Sequence, residues 1–556
     1  MADVSSAVSA GFINAKVGGS YNYKKSEWVL SYTNSWRRYD HQVISTNSSY
    51  IGREKPIIRN EEGVPSEMGY LTNELSLGYT YMHDKNTMLS VTFDGRFDSN
   101  AFFDLYSNVT EYDGNDITRQ YLMRNKRDSK SFNPSMDVYF RKQLTEKSQI
   151  EVDAFGALSD GDYDRMLSYD YSVGDVEDYR QTNVTSNNSW RAGVEGQYSR
   201  TYSSFTTSYG VRYYHNEAKN DYRENNGVPT IYSLNTDYLY AYGSINGSLK
   251  NFGYSAGVGG IYNHSTGYST TFDAFRPRVN IVLNYKFSPN WSINYLFRYD
   301  PSLPSLSQQT ETVQTVDDIT VSRGNLSLKP SVWFRNRIYV RYTYKKFYGE
   351  VWASHSRTVD PIYGNYSYIS DRNSPYYGKF MSQTVNGDRI DHINWELDFG
   401  FQNLFNHLTI GTTVGWNKYD FVGFGNVGPQ KNLFSLIFAQ IYFGNFTISS
   451  YFEITPDYSV SGNGLNRSER FNYIFVQYKW KDWRFSCSVY NPFTKRGALY
   501  ENKSFSDVHP ERRTNYIKDN ANMVSIGVTY RINFGKQLKK SSRTLRNRGV
   551  DTGVAY

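Results

Sequence analysis

Three arginines, Arg335, Arg337 and Arg341, stand at odd positions in a segment whose even positions are mostly apolar. Side chains alternate between the two faces of a strand, so this pattern predicts a hairpin with one apolar face and one charged face. A turn at Lys345-Lys346 predicts the cross-strand pairs Tyr344–Phe347, Val340–Val351 and Arg341–Glu350. A slip of one residue would turn the arginines towards lipid, at about 2–4 kcal/mol each near the midplane. We therefore expect these residues to line a lumen wall, in pairs with acidic residues on neighbouring strands.

A second candidate site is a stretch rich in tyrosine, with one acidic and one basic residue among the rings. Aromatic platforms with a few polar groups suit sugars or aromatic chelates. Tyrosines at the rim of a membrane protein are equally typical of an aromatic girdle, and both interpretations stay open. The residues are Tyr363, Tyr366, Tyr368, Tyr376, Tyr377, Asp371 and Arg372.

The residue types that catalysis or metal binding would need are scattered along the chain. The eight histidines form no pair at helix or strand spacing, and the single cysteine, Cys487, gives no disulfide or thiolate site. Neither a nucleophile elbow nor a phosphate-binding loop is present. Two acidic stretches, 113–116 and 160–164, lack the spacing of a calcium loop, and we expect them to be solvated loop tips. The sequence predicts no enzyme, no metal site and no cofactor.

The clearest structural element lies near the end of the chain, at 523–534. Its even positions, from Val524 to Phe534, are apolar, and its odd positions are mostly polar. This period of two predicts a strand, and about 10 residues is the length of a tilted strand that crosses a bilayer. As the last strand of a membrane barrel it would end in the periplasm, which sets the direction of every earlier strand.

The same unit recurs along the whole chain: two alternating strands joined by a short polar turn, then a longer loop. Short turns at one end and long loops at the other are typical of an outer-membrane barrel. Ten hairpins and the closing strand make about 21 strands, whereas such barrels have an even number. We infer a 22-stranded barrel whose first strand is missing or survives only near Asp3–Ala10. The hairpins are expected at 12–40, 70–99, 132–160, 188–217, 234–265, 278–300, 331–358, 394–419, 431–458 and 468–491.

Composition agrees with a barrel. Of the 556 residues 17% are aromatic, while mean hydropathy is only −0.65, as expected when every second residue faces a wet lumen. No apolar run is long enough for a spanning helix. The net charge of +7 is too small to indicate a nucleic-acid partner. A soluble all-β protein such as a propeller is a weaker alternative.

Several short motifs carry a family resemblance that covers essentially the whole chain. The run Gly324-Asn325-Leu326-Ser327-Leu328-Lys329-Pro330 leads into the arginine-bearing strand. Phe132-Asn133-Pro134-Ser135 opens another strand, and Phe534-Gly535-Lys536 and Asp551-Thr552-Gly553-Val554 lie in the tail. These motifs resemble the barrel of TonB-dependent receptors, especially the outer membrane protein beta-barrel family. The chain departs from the pattern at Leu326, where that family often has proline.

The resemblance implies a receptor and transporter in the outer membrane of a Gram-negative bacterium. Such a protein binds a scarce solute, such as a siderophore or a glycan, and imports it. Its partners would be outer-membrane lipid, the solute, TonB acting through a plug domain, and a surface lipoprotein. The sequence shows no plug-like region before the barrel and no secretory signal. We therefore expect a barrel over 1–534, without its plug, and a basic periplasmic tail over 535–556. A binding or adhesion barrel that does not transport, or an open pore, is the alternative function.

Overall fold

The computed structural model of the chain describes residues 2–9, 11–173, 177–267, 271–425, 427–467, 470–495 and 497–532, together with Leu545 and Asn547. These residues are almost wholly strands, which form one 26-stranded sheet and one four-stranded sheet. In this part of the chain, no helix has both the length and the apolar character needed to cross a membrane.

Four strands of the large sheet extend its rim, and the remaining 22 form a closed barrel of antiparallel neighbours. The last strand, Met523–Ile532, pairs with the strand Trp483–Tyr490 and with the first strand of the chain, Ala2–Ser9, which closes the wall. The barrel strands are β1 (Ala2–Ser9), β2 (Phe12–Tyr23), β3 (Ser26–Tyr50), β4 (Ile57–Met82), β5 (Thr87–Asp113), β6 (Asp116–Thr145), β7 (Ser148–Val173), β8 (Tyr179–Thr201), β9 (Phe205–Glu224), β10 (Thr230–Leu249), β11 (Phe252–Thr266), β12 (Thr271–Lys286), β13 (Trp291–Ser302), β16 (Ser331–Tyr344), β17 (Phe347–Val359), β20 (Arg389–Leu404), β21 (Leu408–Val422), β22 (Gln430–Phe443), β23 (Phe446–Thr455), β26 (Tyr473–Trp480), β27 (Trp483–Tyr490) and β30 (Met523–Ile532).

The strand that makes the number even is the N-terminal one. Val4 on β1 lies opposite Val17 on one side and Tyr530 on the other, so β1 closes the barrel between β2 and β30. The sequence left two possibilities for this strand: that it is missing, or that it survives near Asp3–Ala10. The structure has a strand of eight residues at that place. The predicted end of β30, Asn533 and Phe534, lies outside the described residues.

The hairpins follow the expected pattern. Ten turns of two to four residues join β2 to β3, β4 to β5, and so on to β26 and β27, and each lies within the predicted hairpin. The predicted register of β16 and β17 is also confirmed, since Arg341 pairs with Glu350 and Val340 with Val351. The long connections all lie at the opposite end. The structure is therefore the transmembrane up-and-down barrel that the sequence predicts.

A girdle of aromatic side chains on the outer surface marks the turn end of the barrel. Trp28 packs on Tyr79 with ring centroids 4.4 Å apart, and Trp483 packs on Tyr530 at the same distance. Trp291 and Tyr342 continue this girdle, with ring centroids 4.5 Å apart. Aromatic side chains of this kind lie at the water boundary of the bilayer. These aromatic pairs therefore mark the boundary of the membrane band at the turn end of the barrel.

One side of the wall is much taller than the sequence indicated. Strands β3 to β8 have 23 to 30 residues, so the predicted loops between the first four hairpins are largely strand. The stretch 160–164 lies within β7 and is not a loop tip; there Asp162 pairs with Lys130 at 3.1 Å. The stretch 113–116 does form a tip, with Gly114 at φ 66°. Above the membrane both faces of a strand contact water. The alternation of apolar and polar residues that indicates a strand is therefore lost there.

Smaller elements complete the outer end. The rim strands β24 (Tyr458–Ser461), β25 (Gly464–Arg467), β28 (Ala498–Ser504) and β29 (Glu511–Ile517) extend the wall, and β29 pairs with the upper half of β3. The four-stranded sheet comprises β14 (Gln314–Thr315), β15 (Thr320–Arg323), β18 (Ile362–Tyr368) and β19 (Phe380–Asn386). The helix α1 (Leu306–Gln309) and the 3-10 turn Lys518–Asn520 are the helical segments of the described residues.

Candidate functional site

The four-stranded sheet, which we call the lid, is made from the two long connections that flank the β16–β17 hairpin. Its strands β15 and β19 come from different connections and pair in parallel, with Thr320 opposite Phe380 and Arg323 opposite Gln383. The lid leaves the wall at β13, β16, β17 and β20, yet its ionic and hydrogen-bond attachments reach as far as β4 to β8. These strand groups lie on opposite sides of a 22-stranded barrel. The lid therefore crosses the mouth.

A buried ionic cluster, which we call the latch, fixes the far end of the lid to the wall. Arg59 on β4 contacts Asp317 at 3.1 Å and Asp318 at 2.9 Å. Arg119 on β6 reaches Asp318 at 2.9 Å, and Glu111 on β5 lies between the two arginines, 2.7 Å from Arg59 and 2.8 Å from Arg119. Arg59 is 2% exposed and Glu111 1%, so water screens these charges little.

The latch sets the ionisation of Asp318. Burial alone would raise the pKa of this carboxyl, but the guanidinium groups of Arg59 and Arg119 outweigh that effect and hold it below its ordinary value. Asp318 is therefore an anion at any physiological pH. Removal of one member of such a cluster leaves an uncompensated buried charge, which is costly.

An aromatic stack fixes a second edge of the lid. The imidazole of His509, in the connection before β29, lies 4.2 Å from the Tyr50 ring and 4.4 Å from the Tyr366 ring, measured between centroids. Tyr50 ends β3 and Tyr366 belongs to lid strand β18. Burial raises the pKa of Tyr366 to about 12, so its hydroxyl is neutral. The stack thus joins the wall, the rim and the lid.

Backbone carbonyls of the lid are the third attachment. Arg165 on β7 donates a hydrogen bond to the Val316 carbonyl at 2.7 Å. Gln181 and Asn183 on β8 both donate to the Thr315 carbonyl, at 2.8 and 3.1 Å. Thr315 belongs to β14, an edge strand of the lid, and edge strands leave backbone groups free to bond elsewhere. Together the three attachments extend from β3 to β8.

Two adjoining cavities lie between the lid and the tall wall, and we call them together the vestibule. The larger has a volume of about 470 Å³ and the smaller about 270 Å³. Phe103, Arg127, Arg165 and Val316 line both cavities. The volume of the larger cavity suits a small solute, since ligand pockets measure about 300–1,000 Å³.

Side chains of the vestibule combine charge with aromatic surface. Arg165 and Arg513 contribute cationic groups to the larger cavity, and Tyr169 contributes a ring. Glu61 adds a carboxyl whose pKa is raised by burial. Such a lining fits a polar solute with acidic or aromatic groups. Among the described residues, no three His, Cys, Asp or Glu side chains converge on a point that could hold a metal ion.

The structure divides the predicted tyrosine site into separate places. Tyr363 packs on Phe424, with ring centroids 4.6 Å apart, and Tyr368 packs on Phe380 at 5.4 Å. Only Tyr366 borders the vestibule. Asp371, Arg372, Tyr376 and Tyr377 lie in the connection between β18 and β19, where Tyr377 is 49% exposed. The seven residues therefore belong to the lid but do not form one platform.

The predicted wall residues Arg335, Arg337, Arg341 and Glu350 all lie on the inner face of β16 and β17. Arg341 is 3.1 Å from Glu350. For Arg335 and Arg337 the expected acidic partners are not found within ion-pair distance among the described residues; Arg337 stacks instead on the ring of Trp352 at 3.6 Å.

The two described residues of the tail lie inside the barrel. Leu545 packs in a buried cluster with Met88 on the inner wall. The Asn547 amide donates hydrogen bonds to Asp153 at 3.0 Å and to Glu195 at 2.7 Å. The basic residues predicted for the tail lie outside the described part of the chain.

The latch and the stack could not be found from the sequence. Arg59, Arg119 and His509 fall in stretches without any motif, and Asp317-Asp318 resembles an ordinary turn. The only signal nearby is the Gly324–Pro330 motif. Gly324 is required there because a β-carbon would lie 2.5–2.7 Å from backbone atoms of Gln308 and Thr310.

Comparison with known proteins gives matches in structure. No protein-family model matches the sequence, and no curated protein matches it. The solved structure of the copper transporter OprC aligns over 95% of this chain and 80% of its own, with a TM-score of 0.64 and 10% identity. The ferric yersiniabactin uptake receptor FyuA from Yersinia pestis aligns over 95% and 79%, with a TM-score of 0.60 and 10% identity. The alcaligin outer membrane receptor FauA from Bordetella pertussis aligns over 95% and 75%, with a TM-score of 0.52 and 9% identity. At these identities the likeness shows the fold alone: the chain has the barrel fold of outer-membrane transporters and receptors.

Proposed function

We propose that the chain is the barrel of an outer-membrane receptor that holds a small solute in the vestibule, beneath the lid, and imports it. The observation that carries the proposal is the lid itself, which crosses the mouth and encloses a charged, aromatic cavity. The latch holds the lid over this cavity through Arg59, Asp317 and Asp318.

The proposed localisation is the outer membrane of a Gram-negative bacterium. The barrel fold and its girdle of aromatic side chains support this localisation. So do the solved structures of similar fold, which are named as transporters and receptors. The proposal includes a plug domain in the lumen and TonB as the partner that acts on it, as the family resemblance implies. A surface lipoprotein is a further proposed partner.

The solute that we propose is polar, with acidic or aromatic groups, as in a metal chelate or an acidic glycan. Arg165 is the central residue of this proposal because it lines both cavities and also holds the Val316 carbonyl of the lid. A solute that binds Arg165 would therefore act directly on a lid attachment. No step of bond making or breaking is part of this function.

Uptake by whole cells tests the proposal. Cells that lack the gene, and cells that carry it, receive iron-55 as ferric citrate or as a ferric catecholate, copper(II), or a fluorescent acidic oligosaccharide. We expect uptake of at least one probe to require the gene and to fall at least tenfold with Arg165→Ala. Arg341→Ala, on β16 of the wall opposite the vestibule, is the control and should keep uptake.

The alternatives predict different results. A binding or adhesion barrel would retain a probe at the cell surface without import. An open pore would pass all small probes alike, and a panel that shows neither gene-dependent nor selective uptake would contradict the receptor proposal. The lid argues against an open pore because it fills the path that such a pore needs.

A further inference from the structure

We propose that Arg298, Arg335 and Arg337 form an anion-binding site on the lumen wall, which takes the carboxylate groups of a solute. This site, which we call the lumen patch, is distinct from the vestibule. It deepens the proposed function by giving the solute a second binding place on the path below the lid.

Charge is the first argument. Arg298 on β13 lies directly opposite Arg335 on β16 in the antiparallel register. Like charges in such a pair destabilise a sheet. None of the three arginines has a carboxylate within 4.0 Å among the described residues, whereas Arg341 on the same face has Glu350. Glu396, which lies beyond ion-pair distance, is the carboxylate that acts on Arg337, so the patch keeps an excess of positive charge that attracts an anion.

Unused donors are the second argument. The Nε atom of Arg335 is buried and has no hydrogen-bond partner among the described residues, and the same holds for the indole Nε1 of Trp352. Buried donors are normally bonded. Both atoms can only donate, so each of them needs an acceptor. A carboxylate, with two acceptor oxygens, fits the planar fork of an arginine.

Preorganisation is the third argument. The Arg337 guanidinium lies over the Trp352 ring at 3.6 Å, and Arg335 lies 5.6 Å from the Trp333 ring. Arg298 is held by a hydrogen bond to Asn280 at 3.1 Å. Stacking on a ring fixes a guanidinium but leaves its edge free to donate. The side chains are thus held in place before an anion arrives.

The place of the patch connects it with the lid. Both lid connections leave the wall beside it, one before Ser331 and the other after Val359. Arg335 pairs with Ser356, only three residues below Val359. The lumen patch therefore lies beneath the root of the lid, on the wall opposite the vestibule, and a solute released from the vestibule would reach it across the lumen.

Calorimetric titration of the purified protein in detergent, at low salt, with tricarballylate tests the site. This tricarboxylate does not depend on a bound metal, and no transport is needed, so failure here is distinguishable from failure of uptake. We expect binding to weaken at least tenfold in Arg335→Gln/Arg337→Gln. Arg341→Gln, on the same strand and face, should change it less than twofold.

A second measurement needs no variant. Sulfate should compete with tricarballylate for the wild-type protein, whereas the neutral triamide of the same acid should neither bind nor compete. Unheated gel mobility, which is retained only by the folded barrel, checks each variant. Absence of tricarballylate binding, or equal binding by the double variant, would overturn the proposal and favour a protein segment with acidic side chains as the occupant of the lumen.

Discussion

The guanidinium of Arg59, on one wall of the barrel, lies 3.1 Å from the carboxylate of Asp317, which belongs to a loop that leaves the opposite wall. The two residues are 258 positions apart in the chain. Their contact closes the mouth of the barrel, since the loop can reach Arg59 only by crossing it. Whatever moves the lid must separate this pair.

Asp317→Asn/Asp318→Asn is expected to loosen the lid without unfolding the barrel. Hydrogen bonds to charged groups contribute about 1.5–3 kcal/mol each. Loss of one of them is therefore expected to raise lid opening at least tenfold, because about 1.4 kcal/mol is a factor of ten. Amide hydrogen exchange over 314–323 and 362–386 measures the opening.

The matched control is Asp162→Asn, which breaks the pair with Lys130 on the outer surface of the wall. Exposed pairs of this kind contribute about 0–1 kcal/mol, so lid exchange should stay as in the wild type. Unchanged protection of the lid in the double variant would show that the latch does not hold it.

The latch is also expected to set the response of the lid to pH. Because Asp318 has a lowered pKa in the closed state, its contribution is fully present above the ordinary carboxyl pKa of about 3.9. It is lost as the pH falls through the lower closed-state value. The lid should therefore stay closed from pH 8 to about pH 5, and open only in more acidic solution.

Distances between two spin labels, measured by electron spin resonance across this pH range, test the expectation. Spin labels at Asn373→Cys, in the lid, and Asn115→Cys, at the top of the wall, would report the gap, with Cys487→Ser as background. A constant distance down to about pH 5 is expected. Opening between pH 7 and pH 5 would mean that another group controls the lid.

The barrel could be predicted from the sequence because its signals are local. Each membrane strand alternates lipid-facing and lumen-facing residues, and each short turn interrupts that pattern. The pairing of Arg341 with Glu350 followed from the turn alone. Above the membrane these signals disappear, so the sequence predicts loops where the structure has the upper parts of β3 to β8.

The lid could not be predicted for a different reason. Its central pairing, β15 with β19, joins two loops in parallel across about 60 residues of chain. No turn links these strands, and Thr320–Arg323 is too short for a periodic pattern. The tyrosines of β18 were visible as candidates, but their division between Phe424, His509 and Phe380 depends on this tertiary pairing.

Gly324→Ala is expected to disturb the root of the lid. Its new β-carbon would lie 2.5 Å from the Gln308 carbonyl oxygen and 2.7 Å from backbone atoms of Thr310, none of which can move freely. Overpacking of this kind costs about 1–3 kcal/mol. Limited proteolysis of folded protein should cut the 303–330 connection faster.

Gly428→Ala is the matched control, because a β-carbon at that loop position meets no atom within 4 Å. Its proteolysis pattern and unheated gel mobility should equal those of the wild type. If Gly324→Ala also behaves as the wild type, the close packing of this motif does not hold the lid.

Ile437→Arg is expected to hinder insertion of the barrel into lipid. Ile437 lies near the middle of β22, faces outward and is 42% exposed. An arginine there would cost about 2–4 kcal/mol, because it must enter the hydrocarbon region. Gln440→Arg lies on the lumen face of the same strand, where water can hydrate the charge. Refolding into lipid vesicles, followed by denaturant titration, should show the loss for Ile437→Arg only. Loss in Gln440→Arg and not in Ile437→Arg would contradict the register described for β22, since a slip of one residue exchanges the two faces.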